Sequence, residues 1–455
     1  MTWNRGTGTG ARCKRPADRP LRRPRPKPTR TKAEGCERIC GLAQKIYTHT
    51  LPNGLVLVAE AMDWLESAAF TLLLPAGCSH DPSQRRGLSN LTCDLLQRGC
   101  GSRNSREFLE ALERLGADHS ASVSGAHMSF GAAVLSENLP ATLALYADMT
   151  LRPHLPSDQL DEARLVCLQE LRALEDDLAH KVMQLLRQQH YPDPWGRSAQ
   201  GVETEVEQIT HGDVTQFFQR QLVPRGAILS VAGKIAWPQL KEQVEQLFAA
   251  WSDRPVAQTS EVASPGKYRH IEHDSSQTHL GIAFPSVPYG DPDYYQARGA
   301  VGILSDGMSS RLFTRVREER GLCYSVYASC HSLKGRGSVL CYAGTSTERA
   351  QETLDVTLAE LVRLRDGVES AELDRLKARI KSGLIMQQES SASRSHSMAS
   401  DWYFLGRVQT LDALSRIIQD LSCDSINQYL RQHAPSQFTI VTVGAQKLEV
   451  PVGIS

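Results

Sequence analysis

The run 66-ESAAFTLLLPA-76 is apolar over most of its length and stops at a proline neighbourhood, which predicts a strand. Further along, 157-SDQLDEARLVCLQELRALEDD-177 repeats its apolar residues at helical spacing and predicts a long amphipathic helix. The same alternation returns later. The stretch 336-RGSVLCYAGT-345 predicts a strand and 350-AQETLDVTLAELVRL-364 a helix, with Thr345 and Glu348 read as a capping box ahead of it. Strands alternating with long helices imply helices packed on one face of a mostly antiparallel sheet.

The pattern occurs twice. The segment 71-TLLLPAGCSHDPSQRRGLSNLTCDLLQRG-99 runs strand, proline, Asp-Pro, then a helix ending at Gly99. The segment 280-LGIAFPSVPYGDPDYYQARGAVGILSDG-307 has the same order, with Pro75 matching Pro285 and Asp81-Pro82 matching Asp291-Pro292. A helix, a proline turn and a strand stopping at glycine close each half, in 209-ITHGDVTQFFQRQLVPRGAILSVAG-233 and 421-LSCDSINQYLRQHAPSQFTIVTVG-444. Gly196-Arg197 and Gly406-Arg407 precede these closing segments. The fold class expected is α+β, in two duplicated domains of about 200 residues each. The divisions are a basic Pro-rich arm (1–44), an N-terminal domain (45–251), a Ser/Pro/Gly-containing exposed linker (252–267) and a C-terminal domain (268–455).

Charge refines this picture. The chain holds 51 Lys/Arg and 51 Asp/Glu, but residues 1–40 carry 12 basic against 3 acidic side chains. The body is therefore mildly acidic, and the arm, with 19-RPLRRPRPKPTRTK-32, has too little apolar surface to order itself. It reads as a solvated tail or as residues ahead of the true start, as a basic tether, or as an organellar leader, although its prolines oppose the amphipathic helix a leader uses. Nothing in it has the apolar core of a secretory signal, and no run in the chain has the length of a membrane span, so a cytoplasmic location is expected. The 11 cysteines are scattered without a CxxC pair, which argues for reduced, buried thiols rather than a disulfide framework. No P-loop, dinucleotide fingerprint or nucleophile elbow occurs, and the body offers no basic face interleaved with aromatics for nucleic acid.

The duplicated halves, the helix 86-RGLSNLTCDLL-96 and the stretch 307-GMSSRLFTRVREERGLCYSVYA-328 together resemble the pitrilysin-like (insulinase, mitochondrial processing peptidase) metallopeptidase family over roughly residues 45–445. The resemblance implies a clam-shell half in which His-x-x-Glu-His supplies two zinc ligands and a water-activating carboxylate, with a later glutamate completing the ligand set. In this chain those motif positions hold Asn90, Cys93 and Asp94, and Glu170 in 162-EARLVCLQE-170 corresponds to the distal ligand. The family's second acid, seven residues before that ligand, falls on Ala163, with Glu162 beside it. Asn offers a neutral amide, and a thiol at 93 is a weak substitute for a carboxylate base, so this chain alone is expected to bind no metal and to hold no catalytic centre. His119 and His127, in the alternating 117-ADHSASVSGAHMSF-130, are expected to be hydrogen-bonded structural groups.

The second half keeps what the first has lost. The resemblance implies that Arg317 and Tyr324, seven apart in 316-VREERGLCYSV-326, clamp the substrate backbone and the developing oxyanion, with Gly321 ending a helix and a strand following. It also implies that 119-HSASVSGAH-127 is an edge strand to which a peptide can add. The function expected is that of a non-catalytic, substrate-binding subunit of a heterodimeric zinc metallopeptidase acting on peptides or unfolded proteins. Its partner would be a homologous peptidase subunit carrying the zinc in an intact His-x-x-Glu-His. Two alternatives stay open: a self-sufficient zinc endopeptidase with an atypical site using Asp94, Glu170 and Cys93, and a structural scaffold subunit.

Overall fold

The structure is a computed structural model that describes residues 44–254, 260–264, 266–387 and 389–450. The basic arm up to residue 43 lies outside the described residues.

The first half contributes β1 (Lys45–Thr50), β2 (Val56–Ala61), β3 (Ser67–Leu74), the short pair β4 (Gly99–Cys100) and β5 (Arg103–Asn104), β6 (Asp118–Val123), β7 (Met128–Leu135) and β8 (Ile228–Gly233). Its helices are α1 (Leu88–Leu96), α2 (Ser105–Arg114), α3 (Leu139–Leu151), α4 (Leu160–Asp176), α5 (Leu178–His190), α6 (Glu203–Val206), α7 (His211–Gln221) and α8 (Trp237–Phe248). The second half contributes β9 (Tyr268–Glu272), β10 (Gln277–Ser286), β11 (Cys323–Leu333), β12 (Arg336–Ser346) and β13 (Thr439–Gly444). Its helices are α9 (Tyr294–Ser305), α10 (Ala350–Arg363), α11 (Ser370–Gln387), α12 (Ser391–Leu405), α13 (Leu411–Asp420) and α14 (Cys423–Gln432).

The duplication is visible in the topology. The first sheet runs β1-β2-β8-β3-β7-β6 and the second β9-β13-β10-β12-β11. In each, one parallel pair, β2 with β8 and β9 with β13, is followed by three antiparallel pairings. β6 and β11 are thus equivalent edge strands.

Strand periodicity sorts the side chains onto two faces. Leu57, Ala59, Leu72, Leu74, Leu229 and Val231 point into the main first-half core with its own helices. Val58, Leu73, Ile228 and Ala232 point the other way, onto Met398 and Ala399 of α12. The second sheet repeats this: Leu280, Ile282 and Phe284 face its own helices, while Ala283, Leu340, Tyr342 and Val443 meet Val182, Met183 and Leu186 of α5. Each half therefore packs its own helices on one face of its sheet, as expected, and lends one helix to the opposite face of the other sheet. Gly281 allows the close fit, since a Cβ there would lie 3.3 Å from Leu186 Cβ.

The seam also encloses charge. Arg394 of α12 and Glu60 of β2, at 0% and 2% side-chain exposure, form an ion pair at 2.6 Å. Gln44 Nε2 donates to the other Glu60 oxygen at 2.8 Å, and Arg394 donates to the Gln409 carbonyl at 3.2 Å. His127, in the β6–β7 turn, stacks edge-on against Tyr403 of α12 with ring centroids 4.3 Å apart. Burial lowers its imidazole to about 4, with nearby His80 and Lys334 adding to the effect. An unfolded histidine titrates near about 6.5. Between those values the unfolded chain takes up a proton that the folded one refuses, so this contribution is intact above that upper value and lost as pH falls through the window. The urea midpoint is expected to drop as pH falls from about 6.5 towards about 4, and His127→Phe to flatten that slope.

Two sequence expectations need correction. Thr345 is not a helix cap: it is paired in β12, its hydroxyl donates to the Leu322 carbonyl at 2.6 Å, and a 3₁₀ turn (Thr347–Arg349) leads into α10. A β-branched residue with a tertiary acceptor stays extended, and Glu348 has no box to close. The first motif helix stops at Leu96, and Gly99, with φ 107°, opens β4. The linker expected over 252–267 is exposed at every described position, and it is pinned near its middle: Asp193 and Val262 exchange both backbone hydrogen bonds at 2.9 Å, and Glu261 accepts from Trp195 at 2.7 Å and pairs with Arg336 at 2.6 Å. Residues 255–259 and Pro265 lie outside the described residues.

Candidate functional site

Asp81 sets the start of α1. Its carboxylate accepts from the backbone N–H groups of Gly87 and Ser89, both at 2.8 Å, satisfying donors that an unstarted helix leaves unpaired. Gly87, at φ 102°, supplies the left-handed turn into the helix. α1 then packs against α4 and lies beside the edge strand β6.

On that helix, Asn90 Nδ2 donates to Glu170 Oε2 of α4 at 3.0 Å and to Cys167 Sγ at 3.6 Å. Position 90 and the distal position 170 therefore meet. Asp94 is turned to Arg98, just past the end of the helix, in an i,i+4 ion pair. Cys93 is buried, and desolvation, with Asp94 adding repulsion, pushes its thiol well above the usual range. On α4, Ala163 is buried on the same face as Cys167, while the acidic Glu162 is exposed.

These residues do not fit a zinc ion. The amide at 90 is neutral and its NH₂ is directed at Glu170, the carboxylate at 94 is paired with Arg98, and the thiol at 93 is buried, which raises it well above its usual range. Among the described residues, no group of three His, Cys, Asp or Glu side chains lies together in an arrangement that could hold a metal ion. The 90–170 contact implies that the missing imidazoles are what the site lacks. The triple substitution N90H/C93E/D94H is expected to take up about one zinc per chain by metal analysis, against none for the parent chain.

The second-half residues are aimed by three local irregularities. Phe313–Glu318 is a π-helical turn, in which the Glu319 N–H reaches the Thr314 carbonyl at 2.9 Å. It ends at Gly321, whose φ of 60° and N–H to the Arg317 carbonyl at 3.0 Å make a left-handed C-cap. β11 then begins with a bulge: Cys323 pairs with Thr345 and Ser325 with Gly344, so Tyr324 is the extra residue. A bulge re-aims its unpaired side chain, and Tyr324 is 84% exposed. The Arg317 guanidinium carbon lies 4.9 Å from the Tyr324 ring centroid and 4.7 Å from that of Phe313.

The structure thus brings Asn90 to Glu170 and Arg317 to Tyr324, and leaves Cys93 and Asp94 without a shared ligand point. Sequence reading missed Phe313, although its spacing of four from Arg317 was available, and missed the bulge, which leaves no composition signal. β6, with His119, is an edge strand with an exposed face; His119 Nδ1 lies 3.4 Å from the Ala117 carbonyl. His127 is buried in the seam: its backbone N–H donates to the Ser124 hydroxyl at 3.1 Å, and its ring packs on Tyr403.

The family model for insulinase (peptidase family M16) matches residues 57–201, and the one for the peptidase M16 inactive domain matches residues 208–380. Together they span more than two thirds of the chain. An uncharacterized zinc protease of Bacillus subtilis, YmxG, is 26% identical over 410 residues, covering 88% of this chain and 98% of its own. An uncharacterized zinc protease of Mycobacterium bovis is 26% identical over 407 residues, covering 87% and 92%. Two solved structures share the fold with a TM-score of 0.81. One is described as the peptidase M16 inactive domain from Pseudomonas fluorescens (22% identity, 90% of this chain, 100% of that one). The other is described as a protease from Helicobacter pylori (19% identity, 88% and 100%). No helix among the described residues is long and apolar enough to cross a membrane. A duplicated α+β body with a π-turn and bulge presenting Arg317 and Tyr324, matched along both halves by these models, belongs to the insulinase (M16) peptidase family.

Proposed function

We propose that this chain is a non-catalytic, substrate-binding subunit that completes the active site of a homologous, zinc-bearing peptidase subunit acting on peptides or unfolded proteins. The observation that carries this reading is a contrast between the two halves. At the zinc-motif positions, Asn90 and Asp94 are occupied by contacts within the fold. At the clamp positions, Tyr324 is exposed and Arg317 is held against its ring. A scaffold has no use for a solvent-facing pair of this kind, and a self-sufficient enzyme has no use for a motif helix without imidazole. A peptide added to β6 would pass beside α1 and leave its carbonyls for donors to meet.

The test is hydrolysis of a quenched unfolded peptide, with zinc content, by the chain alone and co-purified with a relative that carries intact His-x-x-Glu-His. Turnover only in the mixed assembly supports the reading. Zinc and turnover in the chain alone would establish the self-sufficient alternative. Stable assembly whose activity is indifferent to this chain would make it a scaffold.

A further inference from the structure

The charged run 315-RVREER-320 pairs its cations unevenly. Arg315 pairs with Glu319 at 2.9 Å and Arg320 with Glu352 at 3.8 Å. Among the described residues, no carboxylate lies within ion-pair distance of Arg317, and its side chain makes no hydrogen bond. Instead its guanidinium sits over two rings, Phe313 one turn before it and Tyr324 on the next strand. A guanidinium is a plane: its faces take π contacts, and its five N–H groups project from the edge. Ring contacts therefore hold the group while leaving the donor edge unspent.

Tyr324 cannot fix that plane alone, because it is itself almost wholly in solvent. Phe313 is half-buried and emerges from a turn anchored by Leu312 and Val316, both fully buried in the second-half core. It is the rigid member of the trio. The geometry points to Phe313 as a positioning residue: its ring holds the Arg317 guanidinium so that the free N–H edge and the Tyr324 hydroxyl converge on a substrate carbonyl. This rests on the clamp reading above and adds to it the side chain that pre-forms the clamp. A long arginine left to wander would have to be ordered at each encounter, and pre-ordering it favours the bound state.

The experiment uses the assembled heterodimer and four variants: Phe313→Leu, Phe313→Tyr, Arg317→Ala, and Phe313→Leu with Arg317→Ala. Leucine keeps the apolar bulk and removes the ring; Phe313→Met serves if the leucine variant does not fold. Phe313→Leu is expected to lower kcat/KM on a quenched peptide by about fivefold to tenfold, Phe313→Tyr to stay near the parent, and the double variant to be no worse than Arg317→Ala alone. A second readout needs no partner. The Arg317 Nε–H resonance of the chain alone should move, through loss of the Phe313 share of its ring-current shift, in Phe313→Leu and stay near the parent in Phe313→Tyr. Parent-like turnover by Phe313→Leu, or an undiminished Phe313→Leu loss in the Arg317→Ala background, would overturn the positioning role. A fully active Arg317→Ala would overturn the clamp itself, and the resonance would then decide separately whether Phe313 holds the guanidinium.

Discussion

Arg317→Ala is expected to reduce kcat/KM of the assembled peptidase by about 10²–10³-fold while leaving assembly and the partner's zinc content unchanged. The size follows from what the side chain offers. A free guanidinium edge meets charge as it develops on a carbonyl oxygen, and donors aimed at developing charge are among the largest single contributions to acyl-transfer catalysis. Arg317 is suited to this because, among the described residues, no carboxylate pairs with it, while Arg315 pairs with Glu319 and Arg320 with Glu352. Tyr324→Phe removes one hydroxyl donor and keeps the ring under the guanidinium, so a smaller loss of about tenfold is expected. Tyr324→Ala removes both and should approach the arginine variant. Arg317→Lys should not rescue, because an ammonium has neither the planar faces for two rings nor the fork. Steady-state kinetics on the co-purified assembly, with complex formation followed by size-exclusion chromatography, checks the set. Unchanged turnover in Arg317→Ala would remove the substrate-clamping role.

Arg394→Met is expected to destabilise the chain by about 3–5 kcal/mol, seen as a lower urea midpoint. The arginine and Glu60 have no water to fall back on, since both are almost fully buried. Removing the cation leaves a carboxylate with only the Gln44 amide to answer it, and also frees the Gln409 carbonyl that Arg394 bonds. The instructive control is the double variant Glu60→Leu/Arg394→Met. A buried pair replaced by apolar side chains of similar volume is often neutral, so most of the loss should be recovered. Equal destabilisation in single and double variants would mean that packing, not the stranded charge, sets the cost. The pair spans β2 and α12, so its loss is a loss of adhesion between the halves.

The sequence made some parts of this molecule plain and hid others for physical reasons. The duplication was legible because both halves keep proline, Asp-Pro and glycine at matching places, and those residues act through the backbone wherever they stand. Amphipathic α4 was legible because its periodicity is local, and only its first three residues became a 3₁₀ turn. The closeness of Arg317 and Tyr324 was legible through the resemblance of their stretch to the family's motif, with Gly321 between them in the left-handed region. The exchange of α5 and α12 was not, because a helix with an apolar stripe does not say which sheet will cover it. The bulge at Tyr324 was hidden for a related reason: it exists only as a mismatch in register against β12. Thr345 misled because a threonine followed by a glutamate looks the same whether its hydroxyl caps a helix or reaches a carbonyl across the sheet.

The helix exchange has a consequence for how such a chain can have arisen. A single half, folded alone, would leave Val58, Leu73 and Ile228 on one sheet face bare and carry α5 outward with nothing to cover. A second copy answers both needs at once, since each copy's emigrant helix roofs the other's sheet. The two halves are therefore mutually dependent for cover, and a change that loosens either helix uncovers the sheet of the half it does not belong to.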